Sequence, residues 1–162
     1  MSSCGRWKKP AGTRALRRTS KRCSTRSNKA IYPVIFVDSN VPMYLVGAPH
    51  PNKEHLHRLL DELIRSRSRF VTDVEVYQEI LHRSMAINRP DMIDPGFACL
   101  DSITGEILTI DMTQTRAARA IQATVDGFSA QGALHVAVMR TAGVSRILDR
   151  GFDACPGIER LN

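Results

Sequence analysis

Ile31-Tyr32-Pro33-Val34-Ile35-Phe36-Val37 is a continuous apolar run that stops at an acid, Asp38. A run with no polar alternation suits a strand buried on both faces, as in the middle of a parallel sheet. The residues after Asp38 suit a strand-to-helix turn. Asn40 is a candidate helix cap, and Pro42 belongs in a first helical turn. Asp38 is therefore expected at the carboxyl end of an inner strand, where open parallel sheets bind their ligands.

The same alternation repeats along the chain. His50-Pro51-Asn52 reads as a break, and residues 53–67 carry Leu56, Leu59, Leu60, Leu63 and Ile64 at helical spacing. Arg69-Phe70-Val71-Thr72 reads as a short strand. Asp73 then reads as the N-cap of a helix over 74–86, in which Val76, Ile80 and Leu81 recur with helical period. Pro90 and Pro95 bracket another helix start, with Phe97 and Leu100 facing inward. Residues 106–110 read as a strand closed by Asp111, and 113–124 as an Ala-rich helix. After a loop at 126–129, Ser129 caps a nearly apolar helix over 130–142 that contains His135 and stops at Gly143. Ser145-Arg146-Ile147-Leu148 is a strand ending at Asp149, and residues 158–161 add a short edge strand. Strands alternating with helices predict an α/β sandwich with a mainly parallel sheet.

Composition agrees with one domain. The chain has 162 residues, 43% of them hydrophobic and 24% charged, enough for one ordinary core. The net charge of +7 suggests a nucleic-acid binder, but its distribution argues otherwise. Residues 1–30 hold ten of the 23 Lys and Arg and none of the 16 Asp and Glu, which leaves the remainder at −3. The composition changes at residue 31. Residues 1–33 are thus expected to be a basic, unfolded extension and 34–162 the domain. The extension lacks the apolar segment of a secretory signal; its Arg- and Ser-rich, acid-free character is compatible with a transit peptide or with phosphate binding. Cys4, Cys23, Cys99 and Cys155 contain no Cys-x-x-Cys pair, so neither a disulfide framework nor a zinc site is expected. No apolar run approaches membrane-spanning length, and no Gly-rich phosphate loop supports a nucleotide-binding domain.

Three acids fall where a site should be. Asp38 and Asp149 each come directly after a strand, and Glu79 lies about two turns into a helix that leaves a strand end. Convergent carboxylates are hard oxygen ligands suited to Mg²⁺ or Mn²⁺. Carboxylates and a divalent ion suit phosphodiester hydrolysis. Each acid also has an ordinary reading: Asp73 as a cap, Glu75 or Glu79 as a solvated helix residue. His135 reads as a packed core histidine or as a proton donor. Arg65, Arg67 and Arg69 read as a solvated face.

The pattern resembles the PIN-domain family. Phe36-Val37-Asp38-Ser39-Asn40-Val41-Pro42-Met43 is similar to its opening motif, and Asp73-Val74-Glu75-Val76-Tyr77-Gln78-Glu79-Ile80 to its second, whose Glu falls on Glu79. Residues 129–137 resemble the third and Ile147-Leu148-Asp149-Arg150-Gly151-Phe152-Asp153 the fourth. The likeness runs over about residues 34–161 and is nearest in style to bacterial VapC-type toxins. It implies a three-layer sandwich with a central mainly parallel sheet flanked by helices. It further implies a cytoplasmic, Mg²⁺-dependent ribonuclease with Asp38, Glu79 and Asp149 as catalytic and metal-binding residues, an RNA substrate, a VapB-like antitoxin and a homodimer. Two departures stand out. The family's third Asp falls on Gly132, and two residues usually present before the fourth Asp are missing. The deletion keeps the strand's facing but shortens its reach by about 6–7 Å. Asp126 and Asp153 are the candidate substitutes. Weakened activity is the expectation, and the alternative is a catalytically silent module that binds an antitoxin or RNA.

Overall fold

The computed structural model describes residues 32–124, 129–149 and 155–161. The basic extension, apart from Tyr32 and Pro33, and both candidate substitutes, Asp126 and Asp153, lie outside the described residues. The described chain runs β1 (Val34–Val37), α1 (Asn40–Val46), α2 (Pro51–Arg65), β2 (Arg69–Asp73), α3 (Val74–Ala86), a 3-10 turn at Pro90–Met92, α4 (Ile93–Ile103), β3 (Glu106–Leu108), α5 (Met112–Gln122), α6 (Ala130–Ala142), β4 (Arg146–Leu148) and β5 (Glu159–Leu161). The five strands form one parallel sheet in the order β3-β2-β1-β4-β5, flanked by the six helices.

Strand β1 sits in the centre, as its unbroken apolar run requires. Ile35, Phe36 and Val37 are all fully buried. Phe36 pairs with Val71 on β2 and with Ile147 on β4. The edge strands β3 and β5 have three residues each, and Glu106 and Glu159 on them are exposed, which limits open pairing edges. Helix α6 is buried along most of its length, from Gly132 and Ala133 through His135 to Met139. It starts on Ser129, whose Oγ accepts from the Gly132 N–H at 3.0 Å. It ends at Gly143, in the left-handed region at φ 69°, where the Val144 N–H reaches the Met139 carbonyl at 2.8 Å.

Several local expectations need correction. Asn40 is not a cap: Ser39 stands at the N-cap of α1 without a side-chain cap bond, and the Asn40 amide is used elsewhere. His50-Pro51-Asn52 does not break the chain but opens α2, with the His50 ring accepting from the Asn52 N–H and Pro51 in the first turn, where its missing donor is harmless. The strand expected over 106–110 stops at Leu108. Asp111 instead forms a capping box with Gln114, so the residues before it serve α5 rather than the sheet. Arg65, Arg67 and Arg69 are exposed, with Arg69 paired to Glu106 at 3.2 Å.

The topology fixes where a ligand can approach. The chain builds β1, β2 and β3 outward in one direction, then returns to the other side of β1 for β4 and β5. The switch point is the crevice beyond the carboxyl ends of β1 and β4. Asp38 and Asp149 stand there.

Candidate active site

Asp38 comes directly after Val37, its N–H bonded to the Leu148 carbonyl of β4 at 3.3 Å. The residue is 5% exposed. One oxygen, Oδ2, accepts from the Asn40 backbone N–H at 3.0 Å and from Asn40 Nδ2 at 2.9 Å. The other, Oδ1, faces His135 Nε2 at 3.9 Å. Burial, foremost, and the Asp149 charge push the Asp38 carboxyl up to about 7, against the opposing pull of His135 and the Asn40 N–H.

Asp73 ends β2 and begins α3, and it performs two tasks. Oδ1 caps α3 by accepting from the Val76 N–H at 3.1 Å. Oδ2 lies 2.9 Å from His135 Nδ1. A carboxylate only accepts, so Nδ1 carries a proton and donates it to Asp73. That bond turns the opposite ring nitrogen, Nε2, toward Asp38 and toward Glu79, whose Oε1 is 3.5 Å away. His135 is 1% exposed, yet Nε2 makes no hydrogen bond of good geometry. Glu79 Oε1 is nonetheless its nearest acid, at the limit of hydrogen-bond range. Burial disfavours the imidazolium, but Asp73, Glu79 and Asp38 outweigh it and raise the ring to about 10. Glu79 would be raised by its own burial; His135, the Ser39 hydroxyl and Arg83 together hold it below the usual glutamate range.

The other flank is organised by Asn40. Its Nδ2 donates to Asp38 and also to Asp149 Oδ1 at 2.7 Å, while its Oδ1 accepts from Arg83 Nη1 at 2.6 Å. Only this amide orientation satisfies two carboxylates and a guanidinium at once. Asp149 is 3% exposed and joins Asp38 through that amide. Among the described residues, the donors that gather within 4.8 Å of one another are those of Asp38, Glu79 and His135. Gly132 lies one helical turn before His135, on the same side of α6, and brings no carboxylate.

The structure thus brings Asp38 and Glu79 together and places Asp149 beside them. It also assigns parts to two residues that the sequence reading treated as ordinary caps, Asp73 and Asn40, and to His135, for which a packed and an active reading stood side by side. His135 is both packed and aimed at the acids. Asp73 is both a cap and its orienting partner. Asn40 bridges rather than caps. The available signal was the coincidence of a strand-end acid with a histidine on an otherwise apolar helix.

Comparison with known proteins identifies the family. The PIN-domain model matches residues 35–154. Ribonuclease VapC13 of Mycobacterium tuberculosis is 46% identical over 130 residues, spanning 79% of this chain and 99% of that protein. Among solved structures, VapC20 of Mycobacterium tuberculosis, described as a Sarcin-Ricin loop cleaving toxin, superposes with a TM-score of 0.57 at 21% identity, over 74% of this chain and 91% of its own. VapBC2 from Rickettsia felis, bound to a DNA fragment from its promoter, gives a TM-score of 0.57 at 9% identity, over 80% and 99%. At those identities the two structures speak for the fold alone. The chain belongs to the PIN-domain family, among its VapC-type members.

Proposed function

We propose that this chain is a divalent-metal-dependent ribonuclease, the toxin of a VapBC-type pair, with Asp38, Glu79 and Asp149 as its catalytic acids, Asp38 and Glu79 holding the metal and Asp149 acting on it through charge. The observation that carries the reading is the convergence of Asp38 and Glu79 on one buried point at the switch crevice, where they face a buried ring nitrogen that makes no hydrogen bond of good geometry. Acids drawn together out of water need a cation among them, a place that the His135 imidazolium fills in the metal-free protein and that a divalent ion would take over. A divalent ion there fits the donor set: Asp38 and Glu79 would hold it, with Asp149 behind Asn40 adding negative charge. The chemistry such an ion supplies is neutralisation of charge on the phosphodiester and activation of a water for attack.

The chain's own residues set the stage for that chemistry. Asn40 holds Asp38 and Asp149 at fixed orientation through one amide. Arg83 fixes the Asn40 amide and presents a cation at the rim, where an RNA phosphate approaches. Mg²⁺ or Mn²⁺ is the cofactor we assign, and Gly132 leaves the site with fewer carboxylates, so cleavage is weakened rather than absent. The similarity to Ribonuclease VapC13 supports RNA as substrate, and membership among VapC-type chains supports a VapB-like antitoxin as partner. A homodimer and action in the cytoplasm belong to the same reading. Among the described residues no helix is long and apolar enough to cross a membrane. RNA cleavage that requires added Mg²⁺ or Mn²⁺, stops with EDTA and disappears in Asp38→Asn tests the proposal. Metal-independent cleavage would overturn it. Antitoxin or RNA binding without any cleavage would favour the silent module.

A further inference from the structure

We propose that His135 Nε2 is itself a metal ligand, a third donor beside Asp38 and Glu79 that Asp73 holds in position, and that it turns the site toward Mn²⁺ in preference to Mg²⁺. The inference deepens the nuclease reading and rests on it. Three observations carry it. Nε2 lies 3.5 Å from Glu79 Oε1 and 3.9 Å from Asp38 Oδ1, within the one group of donors that could share an ion among the described residues. It is buried and has no hydrogen-bond partner of its own, which is rare for a ring nitrogen and costly unless something engages it. And Nδ1 donates to a fully buried carboxylate, Asp73, at 2.9 Å. A carboxylate behind one ring nitrogen is the arrangement that fixes a histidine's tautomer and orientation for metal binding through the other.

Donor chemistry then decides the ion. Mg²⁺ favours oxygen ligands in near-ideal octahedra and keeps several waters. An imidazole nitrogen suits first-row transition ions, of which Mn²⁺ also accepts carboxylates and water. Nε2 would hold such an ion only in its unprotonated form, with the ion then balancing the charge of the acids. Asp73 is in this account a positioning residue. Asparagine at 73 would keep an oxygen for capping α3 but offer an amide donor to Nδ1, which reverses the tautomer and puts the proton on Nε2.

The test uses the full chain loaded with Mn²⁺ and pulsed electron paramagnetic resonance. The expected result is a nitrogen hyperfine coupling to Mn²⁺ that changes to the ¹⁵N pattern in protein labelled with ¹⁵N-histidine and vanishes in His135→Gln. Asp73→Asn should weaken Mn²⁺ about 10–100-fold, and wild-type protein should bind Mn²⁺ more tightly than Mg²⁺ in calorimetry. Mn²⁺ that binds, is lost in Asp38→Asn and shows no histidine coupling would overturn this inference and leave the nuclease reading standing. Coupling that persists in His135→Gln would overturn it too, by assigning the nitrogen to another histidine. Equal affinity for the two ions would overturn the preference. Failure of any divalent ion to bind would overturn both readings together.

Discussion

Asp38 has an acid on each side, and the two are alike in place and burial but differ in their partners. On one side Asp73 closes β2; on the other Asp149 comes directly after β4. Asp73 is fully buried and has both oxygens committed, one to the α3 N-terminus and one to His135. Asp149 is bonded through the Asn40 amide to the same Asp38. The first acid builds the site's frame and points a histidine into it; the second adds negative charge across an amide. Position at a strand end brings an acid to the crevice, but the partner opposite it decides what it does there.

The largest expected effect separates the central acid from both neighbours. Asp38→Asn should abolish divalent-ion binding and lower cleavage roughly hundredfold or more, since an ion at a phosphodiester contributes several kcal/mol to the transition state. Circular dichroism should show the fold intact, because the swap is isosteric. Asp73→Ala should instead act on stability. It removes the α3 cap, worth about 1 kcal/mol, and strips a buried histidine of its partner, a loss in the range of about 3–5 kcal/mol. Urea denaturation would measure it. Asp149→Asn should leave stability nearly unchanged or improved at neutral pH, because its charge is one of the factors that resist ionisation of Asp38. A large stability loss there would erase the contrast between the two flanks.

A smaller effect concerns pH in the metal-free protein. Asp38 is raised in the fold from 3.8 to about 7, so the fold binds its proton more tightly than the unfolded chain does. The stability this contributes is complete below pH 4 and is lost as pH rises to about 7. His135, raised to about 10, contributes stability that is complete below its unfolded value of 6.5 and lost as pH passes 10. Thermal midpoints of wild-type and Asp38→Asn protein should therefore diverge between pH 4 and 7, with the variant falling less. Parallel curves would show that Asp38 titrates alike in both states. The smallest effect belongs to the surface: Arg69→Ala breaks an ion pair whose side chains are more than half exposed, and should cost less than about 1 kcal/mol.

Much of the fold was legible because its strongest signals are local. The unbroken apolar run before Asp38 places β1 in the sheet's centre, and Ser129 and Gly143 bound α6 by cap chemistry that depends on few neighbours. Boundaries that depend on competition between two elements were not. Pro51 reads as a breaker until His50 is seen to cap the helix it starts, and residues 109 and 110 read as strand until Asp111 and Gln114 are seen to serve α5. The acids of the site were legible one by one, as Asp38, Glu79 and Asp149. Their supporting residues were not, because Asn40, Asp73 and His135 each have a satisfactory local role. Only the pairing of β2 with β1 against α6 brings residues 73 and 135, 62 positions apart, within 2.9 Å.

The central claim is that Asp38 and Glu79 hold a divalent ion at the crevice beyond β1. Calorimetric titration of the purified full chain with Mn²⁺ tests it most directly, with wild-type, Asp38→Asn and Glu79→Gln proteins run side by side. The account predicts saturable binding of one ion per chain in the wild type and its loss in both variants. Binding of equal strength in all three proteins would contradict it.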